Sequence, residues 1–154
     1  MIELLKNFLF DRENASVAEA AKEQDKLHIA AAALLLEAAQ LDGSLEKVEK
    51  DRVCHIVQKR FNLDAEHTAA IMENAEQKAK TSNDIYGYLR VLLNHFDHDQ
   101  QVELVEMLWD VICVDGKIHD HEANLVRRVT GMTAVSDRES GAAKLRAMER
   151  YGLS

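Results

Sequence analysis

The sequence predicts an all-α domain of seven or eight helices. Three observations carry that prediction. Proline is absent from all 154 residues, so no position is barred from a helix interior. The chain is rich in Ala, Leu, Glu, Lys and Gln, which favour helices. Its apolar residues recur at three- and four-residue spacing, as in Val53, Ile56 and Val57, and do not alternate. A domain of strands and tight turns would need more than six glycines and no proline. One domain is the simplest organisation at this length, with roughly 68–70% of the unfolded surface buried on folding.

The elements follow in order. Met1–Phe10 reads as a short amphipathic segment and Asp11–Ser16 as a polar linker. Residues 1–24 are therefore taken as an N-terminal extension and residues 25–150 as the helical domain, with halves at about 25–80 and 83–150. A long helix, or two joined ones, is expected from Ser16 to Leu41. Its second part, around Ala30–Leu36, is apolar nearly all round, as a central helix is. Asp42-Gly43 ends it, since glycine suits a left-handed helix end. A helix from Glu46 to Arg60 follows. Asp64 then caps a mostly polar helix from Ala65 to Lys80. Thr81–Asp84 breaks the chain. Ile85, Leu89, Leu92 and Phe96 mark one stripe of a further helix, and His95–Gln100 reads as a polar joint. Val102–Val114 contains the only tryptophan, Trp109, and Asp115-Gly116 ends it. His119–Gly131 and a last helix to Arg150, capped by Ser136, complete the chain. Gly87, between Tyr86 and Tyr88, is expected to permit close helix packing.

Composition excludes several function classes. The net charge of −8 disfavours nucleic acid, which needs a basic face, and disfavours docking by charge on anionic lipid. It fits cations or a basic protein partner. No apolar run approaches the roughly 18 residues of a membrane span. The opening segment has no basic stretch and carries Glu3, so it is not read as a secretion signal. Cys54 and Cys113 are isolated in apolar helical surroundings and read as free thiols, which points to a reducing, cytoplasmic setting.

One pattern occurs twice. Glu37, Asp42-Gly43, Leu45 and Glu49 are matched by Asp110, Asp115-Gly116, Ile118 and Glu122 at an offset of 73 residues. The chain therefore reads as two helical halves about a pseudo-two-fold axis, each with an acidic turn. Asp-Gly-x-[Leu/Ile]-x3-Glu is the second half of a helix–loop–helix calcium loop. The first half is missing: its ligand positions fall on Ala38 and Gln40, and on Val111 and Cys113. A hard cation needs six to eight oxygens, so a site would have to draw on both halves. The structural alternative is that Glu49 and Glu122 reach back to cap their helices, that Asp42 and Asp115 only shape turns, and that Glu37 and Asp110 pair with arginine. Arg90, Arg127 and Arg128 are the candidates for that pairing.

His119 and His121 beside Glu122, and His95 and His98 around Asp97, place imidazoles among carboxylates, but not at the spacing of a zinc site. No phosphate-binding glycine loop or nucleophile elbow is present. The chain is accordingly read as non-enzymatic.

The repeated motif, with the second copy running Leu108-Trp109-Asp110-Val-Ile-Cys-Val-Asp115-Gly116-Lys-Ile118-His-Asp-His-Glu122 to Val126-Arg127-Arg128, resembles the tellurite-resistance protein B (TerB) family over about residues 25–148. Asn83-Asp84-Ile-Tyr86-Gly87-Tyr88-Leu-Arg90 and Lys144-Leu-Arg146 are similar to it too. The resemblance implies a TerB-like fold of two pseudo-symmetric halves, a link to tellurite resistance and stress response, and assemblies near the inner membrane. It implies divalent metal binding by the acids, which fall here on Glu37, Asp42, Glu49, Asp110, Asp115 and Glu122. Calcium is favoured over zinc because oxygen ligands dominate. Where the family often has a good N-cap four residues after the Asp-Gly aspartate, this chain has Glu46 and His119. The expectation is thus an accessory stress-response protein whose acidic face takes a divalent cation or a basic protein partner. The alternatives are an ion-free helical interaction module and a metal-assisted hydrolase.

Overall fold

The computed structural model describes residues 2–40, 46–81, 84–114 and 116–153, with side chains described from residue 20 onward. Among these residues there are seven α-helices and no strand: α1 (Ile2–Ala39), α2 (Lys47–Phe61), α3 (Ala65–Thr81), α4 (Ile85–Leu93), α5 (His98–Cys113), α6 (Asp120–Gly131) and α7 (Asp137–Arg150). None of them is long and apolar enough to cross a membrane.

Cap chemistry sets most boundaries. Asn62 takes the left-handed conformation at the end of α2 (φ 53°, ψ 51°), which asparagine tolerates better than most residues. Asp64 Oδ1 accepts from the His67 N–H at 2.7 Å and opens α3. Ser136 Oγ accepts from the Glu139 N–H at 3.1 Å and opens α7. Both expected caps are therefore in place. Gly116 lies at φ 88°, the left-handed turn expected of an Asp-Gly pair. Its counterpart, Asp42-Gly43, lies outside the described residues.

Three expectations need correction. Residues 11–16 are not a linker in conformation: they are helical and continuous with α1. No glycine or proline precedes Gly43, so nothing there breaks the helix once it is nucleated. Helix α5 begins at His98, four residues before the expected start. The Asp97 carboxylate accepts from the Gln100 N–H, and the Gln100 side chain accepts from the Asp97 N–H, both at 2.9 Å. This reciprocal capping box shrinks the polar joint to residues 94–97. Gly87 serves a cap rather than a helix contact. The Asp84 carboxylate accepts from the Gly87 N–H at 2.9 Å, and a Cβ on Gly87 would lie 2.4 Å from Asp84 Oδ2.

The second part of α1 and most of α5 form the centre. Ala30–Leu36 are at most 3% exposed, as are Leu104, Val105, Met107, Leu108 and Ile112. Each such leucine or isoleucine contributes about 1.5–3 kcal/mol by burial. Helix α1 packs on α2, α3 and α4, α5 packs on α6 and α7, and the two central helices meet. The arrangement α1–α2–α3 is thus repeated as α5–α6–α7. Buried polar groups obey the repeat: Thr68 matches Ser140 and His28 matches Gln101.

Candidate functional site

The repeated acids follow different fates. Asp110 faces inward from the middle of α5 and is 2% exposed. Its Oδ2 accepts from Arg60 Nη2 at 3.0 Å, and its Oδ1 from Arg150 Nη2 at 2.8 Å. One turn earlier on α5, Glu106 is also buried. Its Oε2 accepts from Arg60 at 2.7 Å and from Arg150 at 2.9 Å, and its Oε1 accepts from Arg146 Nε. Two carboxylates from α5 are therefore clamped by one arginine of α2 and two of α7. Arginine pairing of Asp110 was expected, but not with these residues. Arg127 bonds Asn124 instead, and Arg128 lines a shallow hollow between α4 and α6.

The electrostatics follow from the geometry. Burial alone would raise the Glu106 pKa, but hydrogen bonds from Arg60, Arg146 and Arg150 hold it below the ordinary carboxylate value. Burial likewise works against charge on Arg60 and Arg150, and their bonds to the two acids keep both above the ordinary guanidinium value. Burial and the nearby Asp110 push the Tyr151 phenol up.

Glu37, the counterpart of Asp110, has no such partners. Its Oε1 is buried without a hydrogen bond, and burial raises its pKa. The repeat explains the difference: Ala33, Asn74 and Lys78 stand at the positions that correspond to Glu106, Arg146 and Arg150.

Glu49 and Glu122 both reach back along their helices. Oε2 of Glu49 accepts from the Glu46 N–H at 3.4 Å, and Oε1 of Glu122 from the His119 N–H at 3.3 Å. Asp42 and Asp115 lie outside the described residues. Among the described residues no group of three or more His, Cys, Asp or Glu is placed to hold a metal ion. Both oxygens of Asp110 are engaged by guanidinium groups, so a cation there would displace an arginine and meet its charge. Glu37 is different, because it has one oxygen to offer.

Several histidines have partners within the fold. His98 Nε2 meets Glu139 Oε2 at 2.5 Å, and the rings of His119 and His121 stack at 5.7 Å. Buried His28 stacks on Phe61 at 4.2 Å. Neither Cys54 nor Cys113 is in a disulfide among the described residues.

The arrangement of two packed helical triplets, with matched acids at equivalent helix positions, meets an independent finding. A family model described as Tellurite resistance protein TerB matches residues 28–145. The chain belongs to the TerB family. No curated protein and no solved structure matches it. The family match spans both triplets, so Glu37 and Asp110, and the arginine clamp up to Glu106 and Arg60, fall inside the TerB region. Arg146 and Arg150 fall just beyond it.

The clamp was missed at the level of sequence, although a signal was present. Glu106 and Asp110 are four residues apart on a helix that is otherwise apolar around them. Arg146 and Arg150 show the same spacing on the last helix. Two acids on a buried face call for two or more cations, and a four-residue arginine pair is a natural match.

Proposed function

We propose that this TerB-family protein is a non-enzymatic accessory protein of stress response that works as a helical interaction module, with its repeated acids serving the fold. The observation that carries this reading is the arginine clamp on Asp110. A buried carboxylate satisfied by two guanidiniums is stable where it is, and giving up either bond would strand a charge. The backward reach of Glu49 and Glu122 to helix starts supports the same reading. Tyr86 and Met132 are exposed beside the hollow between α4 and α6, and apolar side chains of this kind suit a protein partner.

A second reading is favoured by one observation. The unpartnered Oε1 of Glu37 would be satisfied by a divalent cation at the first acidic turn. Calcium suits an all-oxygen site better than zinc does. No observation favours the metal-assisted hydrolase.

The test is to titrate Ca²⁺, Mg²⁺, Mn²⁺ and Zn²⁺ separately into the protein and follow the backbone amides by NMR. The leading reading expects no saturable shift at Glu37, Glu49, Asp110 or Glu122. Saturation confined to Glu37 and Glu49 would replace it with a cation at the first turn. Saturation at both turns would overturn it in favour of a paired site.

A further inference from the structure

The clamp carries more positive charge than its acids require. Glu106 and Asp110 are matched by three guanidiniums, those of Arg60, Arg146 and Arg150. Arg60 commits only Nη2 to the acids, and no bond among the described residues engages its Nε or Nη1. Both Arg60 and Arg150 line an open cleft of about 510 Å³ between α2, α5 and the end of α7. Lys59 lines it as well, is exposed, and forms no ion pair among the described residues. Asp110 is already occupied by its arginines. Glu103 and Arg60 line both this cleft and a second cavity towards His28. The lining therefore holds three cations against two carboxylates in a chain whose net charge is −8.

The outer end has a different character. There the cleft shares His55, Ile56 and Tyr151 with a hollow of about 320 Å³ that adds Val48 and Val114, with Asp51 and Arg52 at its side. Val48 and Tyr151 are among the exposed large apolar residues. A cationic end thus runs directly into an apolar one, the combination that small-molecule sites use for orientation and affinity. Guanidinium groups with unused donors recognise phosphate and carboxylate in particular.

We propose that this cleft binds a small organic anion. Its phosphate or carboxylate head lies on Lys59, Arg60 and Arg150, and its apolar body lies along Ile56 and Tyr151 towards Val48. The inference shares Arg60 and Arg150 with the clamp that carries the proposed function, but it stands or falls on anion binding at Lys59, which the cation titration does not read.

Phenyl phosphate is the probe, with inorganic phosphate as the head alone and phenol as the body alone. Amide NMR on the full chain reads the binding. The expected result is saturable shifts at His55, Lys59, Arg60 and Tyr151, with phenyl phosphate tighter than either control. Lys59→Gln removes an exposed cation that forms no ion pair among the described residues, and is expected to weaken phenyl phosphate about five-fold with no loss of stability. Absence of saturation at millimolar probe, equal affinity for inorganic phosphate, or undiminished binding in the Lys59→Gln variant would each overturn the proposal.

Discussion

At the scale of single residues, Glu37 and Asp110 show how one repeated position takes two physical states. Asp110 is held between two arginines. Asp110→Asn leaves Arg60 and Arg150 short of a partner, and is expected to lower stability by about 2–3 kcal/mol in urea unfolding. The partial exposure of both arginines keeps the effect at the low end for a buried pair. Glu37 is the reverse case. Burial raises its pKa, so the folded chain keeps a proton that the unfolded chain releases near the ordinary value of 4.5. Stability therefore falls as pH rises from that value to the raised one, and the penalty persists above it. Glu37→Gln removes the ionisation. It is expected to raise the melting temperature at neutral pH and to flatten the decline above pH 4.5. A lower melting temperature at neutral pH in the presence of calcium would instead favour a bound cation.

At the scale of elements, local chemistry accounts for nearly every helix boundary. Asp64 and Ser136 are caps that can be read directly from the chain, because a cap depends on residues within one turn. The α5 start could also have been read from Asp97 and Gln100, which have capping-box spacing; the neighbouring histidines and acids obscured it by looking like a polar joint. Gly87 is a case where the residue was noticed and its reason was not. The carboxylate of Asp84 fills the space that a side chain at 87 would take. Gly87→Ala is expected to cost about 1 kcal/mol by expelling the cap. In an Asp84→Ala background the same change should be neutral or stabilising, because only the helix preference of alanine remains. Thermal unfolding of the two single variants and the double variant decides it. Additive losses would mean that the cap is not the reason.

At the scale of the whole molecule, the two triplets are similar in packing and unlike in charge. Trp109 donates to Ser140 Oγ at 3.2 Å, and the His98–Glu139 pair also ties α5 to α7. The Ser136 backbone N–H, then the His98 ring, hold the Glu139 pKa down to about 2. The bond and charge of Glu139 raise the His98 pKa above its ordinary value of 6.5. For the histidine, the stabilisation is complete below pH 6.5 and is lost as pH rises through the raised value. For the glutamate, it is present above the ordinary 4.5 and is lost as pH falls through about 2. The pair therefore works across the mildly acidic range. His98→Ala is expected to reduce stability at pH 6 more than at pH 9. Melting temperatures of both proteins at the two pH values check this, and a constant difference would exclude the link.

The sequence alone determined the all-α class, a count of seven or eight helices, the two-fold repetition and the central place of Ala30–Leu36. These rest on periodicity, helix preference and cap chemistry, which act over a few residues and so are written locally. The TerB resemblance rested on the same local record. The partners of Asp110 were written only in part: Arg146 and Arg150 share the four-residue spacing of Glu106 and Asp110, but nothing along the chain marks Arg60. Arg60 and Arg150 are 50 and 40 residues away, and at that separation only the packing of α2 and α7 against α5 selects them over the nearer arginines. The tertiary structure likewise decided that Oε1 of Glu37 is buried without a hydrogen bond and that the clamp opens onto a cleft. Both depend on which side chains three separate helices bring to one place, and no spacing along the chain encodes that.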